Sequence, residues 1–245
     1  MTQTEIDYGH WQSGIRGFPD RVRELLDTHR PNTVCEVGGG AKPALSLEEI
    51  ADRGLRYVVL DISQSELDKA PSGYEKLRLD ITAPTAADGL EGAYDFMFSY
   101  MLAEHVKHPE QFHGNVFRML SPGGIAVHFM PTLFDPMFIA NRVLPENVSE
   151  RLVRKGQPER KLDTTEGKFP AFYRWCRGPS PRQLRRLEGI GFEVAHVTGY
   201  FGTGYLKRTP LDKPYEAVSR KLIKRPINAL CSYTWLVLRK PVDAR

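Results

Sequence analysis

The sequence predicts an α/β fold, a mostly parallel sheet covered by helices on both faces. Three observations carry that expectation. Short runs of nearly continuous apolar residues recur, as strands buried on both faces require. Segments with helical spacing lie between some of them. Several runs end in an acid or in glycine, where a parallel strand hands over to a loop. Val34-Cys-Glu-Val37 is the first such run and opens into Gly38-Gly-Gly40. Leu45 to Arg53 has helical spacing and stops at Gly54, a natural helix end. Tyr57-Val-Val-Leu60 leads into Asp61, and Leu77-Arg-Leu79 leads into Asp80. Tyr94-Asp-Phe-Met-Phe-Ser99 is the fourth strand. A helix with apolar Phe112, Val116, Phe117 and Leu120 then reaches the turn Ser121-Pro-Gly-Gly124, and Ile125-Ala-Val-His-Phe129 is the fifth strand.

From Pro131 to about Pro181 the alternation lapses, and roughly 50 residues exceed an ordinary loop. Helices lying over the carboxyl ends of the strands, where open α/β sheets bind ligands, are the expectation there. The stretch mixes Phe134, Phe138, Phe169, Phe172, Tyr173 and Trp175 with basic residues. A helix over Pro181–Gly189, a strand over Gly191–Val197, a basic helical segment over Tyr215–Leu230 and a last strand over Tyr233–Leu238 complete the chain. One domain over 1–245, with 133–180 as an insertion, accounts for the length.

Composition excludes several classes. With 41% hydrophobic and 26% charged residues the chain is neither disordered nor a coiled coil. No apolar run approaches the roughly 20 residues of a membrane span. The start, Met1-Thr-Gln-Thr-Glu-Ile-Asp7, has no basic segment followed by an apolar one, so no signal peptide is expected. Three widely spaced cysteines, Cys35, Cys176 and Cys231, fit a reducing compartment, and a cytoplasmic location is the expectation. The net charge of +4 is unevenly spread. Residues 151–186 hold 11 Lys/Arg against 3 Asp/Glu, and residues 207–245 hold 10 against 3, so the rest of the chain carries a net −11. An acidic body with two basic segments speaks to partners or to a solvated surface, not to fold.

Glycines clustered after a strand let the backbone approach a ligand closely. Alone, Glu36-x-Gly38-x-Gly40 is a weak signal, and spacing gives it weight. Asp61 follows 21 residues after Gly40 at the next strand end, where a carboxylate can accept both ribose hydroxyls. Asp80, at the third strand end, is placed to accept from an adenine amino group. A dinucleotide loop would run Gly-x-Gly-x-x-Gly; here Ala41-Lys-Pro43 follows, with no third glycine. Glu36 before the glycines would repel a phosphate and could hold an ammonium group.

Val34-Cys-Glu-Val-Gly-Gly-Gly40, Asp61, Asp80, Tyr94–Ser99, Glu104-His-Val106 and Arg118-Met-Leu-Ser-Pro-Gly-Gly124 together resemble, in order, the motifs of class I S-adenosylmethionine-dependent methyltransferases. The resemblance spans about residues 32–132 and departs from the common pattern at Lys42, where many members carry a third glycine. It implies a Rossmann-like seven-stranded sheet of order 3-2-1-4-5-7-6 with strand 7 antiparallel, and S-adenosylmethionine as cofactor. It also implies that Glu36, Gly38, Gly39 and Gly40 surround the methionine part, that Asp61 takes the ribose and Asp80 with Ile81 the adenine, and that Ile62 is a further cofactor contact. Ser99 and Tyr100 would lie near the sulfonium, and Tyr8-Gly-His-Trp11 resembles segments that cap the cofactor, with Trp11 the candidate contact.

An alcohol acceptor also needs its proton removed, and Glu104 and His105 after the fourth strand are the candidates, with His108 and His128 nearby. Glu104, His105, His108 and His113 could be read as metal ligands, but imidazoles suit zinc better than magnesium, so a divalent metal is compatible with the sequence and not the favoured reading. The acceptor site is expected in the insertion, with Tyr173, Arg174 and Trp175 as platform and His128 beside it. The long insertion and the basic segment before the last strand are loosely similar to bacterial methyltransferases of saccharides and glycolipids. A hydroxyl of a sugar, oligosaccharide or glycolipid is therefore the expected acceptor. A small-molecule or lipid C- or N-methyltransferase, and a non-catalytic binding protein, are the alternatives. No RNA-binding module or Asn/Asp-Pro-Pro-Tyr motif points to nucleic acid. A peripheral membrane contact and a homo-oligomer are both compatible with the sequence.

Overall fold

The computed structural model describes residues 5–133, 135, 139, 170–207 and 209–243. Most of the insertion, including Phe134, Phe138, Phe169 and much of the first basic segment, lies outside the described residues. Eight described strands form one sheet: β1 (Ile6–His10), β2 (Thr33–Val37), β3 (Arg56–Asp61), β4 (Glu75–Arg78), β5 (Tyr94–Tyr100), β6 (Leu120–Pro131), β7 (Glu193–Phe201) and β8 (Tyr233–Arg239). Their order is β1-β7-β8-β6-β5-β2-β3-β4. β8 is antiparallel to both neighbours and every other pair is parallel. The order implied by the resemblance is present, with one strand more: β1 pairs with β7 at the far edge, Ile6 opposite Val197 and His10 opposite Phe201.

The described helices are α1 (Trp11–His29), α2 (Leu47–Asp52), α3 (Gln64–Lys69), α4 (Pro109–Met119), α5 (Pro181–Glu188) and α6 (Asp212–Lys224). Helix α1 buries Gly14, Phe18, Val22 and Leu26, a stripe at four-residue spacing. Gly14 is required there, since a Cβ would come within 3.0 Å of the Tyr200 ring and 3.1 Å of Phe129. Phe18 then reaches Tyr100, Trp235, Phe129 and Phe98, with ring centroids 4.6–6.2 Å apart. Strand alternation sends the next residues to the other face. Ser99 and His128 meet there, and the His128 ring packs on Phe112 and His113 of α4. The sheet is thus covered by α1 on one face and α4 on the other, as continuous apolar strands demand.

The expected turn at Ser121–Gly124 is already part of β6, which begins at Leu120 opposite Tyr94 and shifts register before Ile125. The expected helix over Tyr215–Leu230 begins earlier and ends at Lys224, and a single 3₁₀ turn, Asn228–Leu230, precedes β8.

Candidate functional site

The carboxyl ends of β2, β3, β4 and β5 bring most of the expected cofactor residues to one rim. Past Val37 the chain turns through Gly38 (φ 79°) and Gly40 (φ 45°), conformations that a side chain rarely adopts. Gly39, between them, has no room either: a Cβ would lie 2.8 Å from Glu36 Cδ and 2.9 Å from Val59 Cγ1. Glu36 is buried, and its Oε2 accepts from the Ala44 amide (2.9 Å) and from the Tyr57 hydroxyl. Its carboxylate therefore braces the glycine loop from beneath, and burial raises its pKa. A bracing role of this kind was not legible from the strand-end pattern, because Tyr57 is 21 residues away.

Asp61 ends β3 half-buried, with Oδ2 3.2 Å from where a Gly40 Cβ would stand. Its Oδ1 accepts from the Ser63 amide at 2.9 Å. Desolvation raises its pKa against those hydrogen bonds. Ile62 beside it is an exposed aliphatic side chain, 52% accessible. The β3–β4 ladder continues one step beyond the strand through Leu79 N–H to Asp61 O (3.0 Å), which sets Asp80 alongside. Asp80 is exposed and uses Oδ1 on the Thr82 amide (2.8 Å) and hydroxyl (2.7 Å). Ile81 is buried, and Asn115 of α4 holds this turn by donating to the carbonyls of Ile81 and Ala83, both at 2.8 Å.

At the end of β5, Ser99 points into the α4 face and bonds His128 Nδ1 at 2.8 Å, while Tyr100 points the other way and stacks on Phe129 at 5.5 Å. Met101 follows with φ 51°, and Leu102 leans on the glycine loop, 2.7 Å from where a Gly38 Cβ would be. The same segment carries Glu104 and His105 on a 3₁₀ turn, Ala103–His105. Glu104 is 4% exposed, and its Oε2 has no hydrogen-bond partner among the described residues. Burial without compensation pushes its pKa up to about 8. His105 is half-exposed; its Nδ1 donates to the Pro170 carbonyl at 3.1 Å, since a carbonyl can only accept. Its Nε2 lies 3.7 Å from Glu104 Oε1, too long for a hydrogen bond.

Residues 170–180 form a strap across these strand ends. Phe172 and Tyr173 donate their amides to the Glu104 carbonyl (2.7 and 3.1 Å), Arg174 donates to the Lys107 carbonyl (3.2 Å), and Leu133 donates to the Cys176 carbonyl (2.7 Å). The aromatic platform expected of Tyr173 and Trp175 is largely spent on packing. Tyr173 is 4% exposed within the core. Trp175 stacks on His113 (6.0 Å, 16°), with the Arg186 guanidinium 5.2 Å from its ring centre.

Two expectations are corrected by position. His128, read as an acceptor contact, is wholly buried between β6 and α4, with its pKa pulled down to about 4 by burial. It is an interior residue because it alternates with Phe129, which faces α1. The segment Tyr8–Trp11, expected to cap the cofactor, makes up the end of β1 and the start of α1. Trp11 sits at the end of β7, under Gly202 and Gly204, on the opposite wing of the sheet from the glycine loop. Of the other histidines, His108 is the exposed N-cap of α4, and His113 is buried between Trp175 and His128.

Over residues 8–197 the chain matches the family described as Methyltransferase domain. An uncharacterized methyltransferase of Mycobacteroides abscessus is 31% identical over 103 residues, 40% of this chain and 39% of that protein. Another, from Mycolicibacterium gilvum, is 33% identical over 131 residues, 51% of each. The match thus spans about two-fifths to one half of these relatives' length. Among solved structures, a SAM dependent methyltransferase from Archaeoglobus fulgidus superposes with TM-score 0.56 at 14% identity, covering 92% of this chain and 94% of that one. One from Mesorhizobium loti gives TM-score 0.50 at 17% identity, covering 90% and 96%. The [4+2]-cyclase SpnF is equally similar, with TM-score 0.55 at 16% identity over 96% and 83%, so the fold by itself does not fix the reaction.

Proposed function

Because this chain belongs to the class I S-adenosylmethionine-dependent methyltransferases, we propose that it transfers a methyl group to a hydroxyl of a sugar, oligosaccharide or glycolipid. The observation that carries the hydroxyl reading is Glu104. A buried carboxyl with an unpartnered oxygen and a pKa of about 8 is, in its ionised form, a stronger proton acceptor than an ordinary carboxylate, which a hydroxyl needs and a more acidic or carbanion-like acceptor needs less.

The residues on the rim fit the cofactor. The glycine loop has no Cβ atoms to obstruct a close approach, and Asp61 hangs over it with one oxygen, Oδ2, turned toward Gly40. In this reading Gly38–Gly40 seat the amino-acid end, Asp61 takes the ribose hydroxyls, Ile62 covers an adenine face, and Asp80 with Ile81 borders the ring. S-adenosylmethionine, when bound, supplies an electrophilic methyl carbon. The chain's own work is alignment, which can contribute roughly 7–11 kcal/mol, and proton removal, worth about 10²–10⁴-fold. Glu104 takes the hydroxyl proton. His105 keeps its proton on Nδ1 through the Pro170 carbonyl, which leaves the unprotonated Nε2 on the Glu104 side, 3.7 Å from Oε1. Arg174, exposed on the strap, is the remaining candidate for acceptor contact.

The test is transfer of isotopically labelled methyl groups to separated carbohydrate, lipid and RNA fractions of a cell extract. Label in carbohydrate or glycolipid, released by conditions that cleave methyl ethers and not methylamines, is the expected result. Label on nitrogen or carbon would replace the hydroxyl reading, and label in RNA would replace the acceptor class.

A further inference from the structure

Among the described residues, helix α6 is held to the body by one face. Tyr215 donates to Asp135 Oδ2 (2.6 Å), Glu216 meets His10 Nε2 (2.9 Å), and Ser219 is buried with its hydroxyl on the Tyr215 carbonyl. At 100° per residue these anchors define the inner side, and the outward arc then holds Lys213, Lys224, Ala217, Lys221, Pro214 and Val218, with Arg225 just past the last turn. Four of these seven are cations and none is an acid. Lys213, Lys221, Lys224 and Arg225 make no ion pair among the described residues. Aliphatic side chains stand in water on this arc and at the helix ends: Val218 is 53% exposed, Leu211 just before the helix 61%, and Ile227, just beyond it, 53%.

We infer that this face of α6 docks on the surface of an anionic phospholipid bilayer. Cations alone would serve any polyanion, but exposed aliphatics interleaved with them have a use only where apolar matter lies just behind the charge, as in the headgroup layer. A nucleic acid would be better served by aromatic rings on which bases stack. The one aromatic residue of α6, Tyr215, is turned inward onto Asp135. The placement also has a sense. Asp135 follows the end of β6 and His10 ends β1, so α6 lies against the carboxyl-end side of the sheet, which also carries the glycine loop. Docking would bring that rim to the lipid surface.

The inference is independent of methyl transfer and is tested by co-sedimentation of the full chain with phosphatidylcholine vesicles, with and without phosphatidylserine, at about 0.15 M salt. The wild type is expected to sediment with the phosphatidylserine vesicles and to stay in solution with phosphatidylcholine alone. The triple variant Lys213→Gln, Lys221→Gln, Lys224→Gln should lose about a hundredfold in partitioning, from roughly fivefold per cation. The double variant Val218→Ser, Ile227→Ser keeps every charge and should still lose about tenfold. Unchanged melting and unchanged S-adenosylhomocysteine binding in both variants would place the loss in the surface. Failure of the wild type to sediment, or wild-type partitioning of the charge-preserving variant, would overturn the inference. Tighter binding of a single-stranded oligoribonucleotide than of the vesicles would overturn it in favour of a nucleic-acid partner.

Discussion

Replacing Glu104 by Gln should make the protein more stable and less active, and the first effect should depend on pH. The folded chain holds this carboxyl at a pKa of about 8, against an ordinary 4.5, because burial disfavours the charge and Oε2 has no partner. Below pH 4.5 both folded and unfolded states carry the proton, and the group costs nothing. Between 4.5 and 8 the unfolded chain releases it while the folded chain retains it, so stability falls as pH rises. Above 8 the penalty is complete and level. The shift from 4.5 to about 8 corresponds to about 5 kcal/mol at 1.36 kcal/mol per unit. Gln has nearly the same shape and no proton to lose. Urea denaturation of both proteins between pH 5 and 9 should therefore show a difference that is small at pH 5 and grows by several kcal/mol toward pH 8 in favour of the variant. A difference that stays flat across that range would refute the buried-charge reasoning. The same variant should lose about 10²–10⁴-fold in turnover if Glu104 accepts the proton. Stability gained together with activity lost is the signature of a site held at the fold's expense.

Other substitutions test separate parts of the site. Asp61→Ala should weaken S-adenosylhomocysteine binding by about two orders of magnitude through the loss of two charge-assisted hydrogen bonds, with melting little changed; calorimetry decides, and unaltered affinity would remove the ribose assignment. Gly39→Ala forces a Cβ into Glu36 and Val59 and should cost about 1–3 kcal/mol by denaturation, with a parallel loss of cofactor affinity. A variant as stable as wild type would mean that the loop is not braced as described. Tyr215→Phe withdraws a hydroxyl from buried Asp135, which also accepts from Ser232 at 2.5 Å, and should cost about 1–3 kcal/mol. An unchanged melting temperature there would show that α6 is not anchored through this bond.

What the sequence disclosed follows from how local each signal is. Val34–Val37, Tyr57–Leu60 and Tyr94–Ser99 are central strands buried on both faces, so their apolar runs stand out without a partner in view. Edge strand β1 escaped notice because Ile6-Asp-Tyr-Gly-His carries a charge and a glycine and only half-buries its side chains; its pairing comes from β7, about 190 residues on. Helix α1 was obscured by Gly14, Gly17 and Pro19, which lower helix propensity. The structure explains Gly14 only through its approach to Tyr200 and Phe129. In the site, Asp61, Asp80 and the glycines were legible because strand ends announce themselves. The side on which His128 lies was not, since that depends on register against β5 and β8. The inward fate of Tyr173 was hidden likewise, because it rests on amide bonds to Glu104, 69 residues earlier.

The pairing of β1 with β7 also bears on how the chain is made. Edge strand β1 leaves the ribosome before its sheet neighbour, Val197 opposite Ile6, is synthesised. During translation Ile6–His10 must wait, without its ladder, while the inner strands assemble. The sheet closes only when the late segments arrive, with α6 then meeting β1 through Glu216 and His10. Pairing between residues so far apart pays its loop entropy last, so the final docking step, not the formation of the glycine loop, should set the pace of folding.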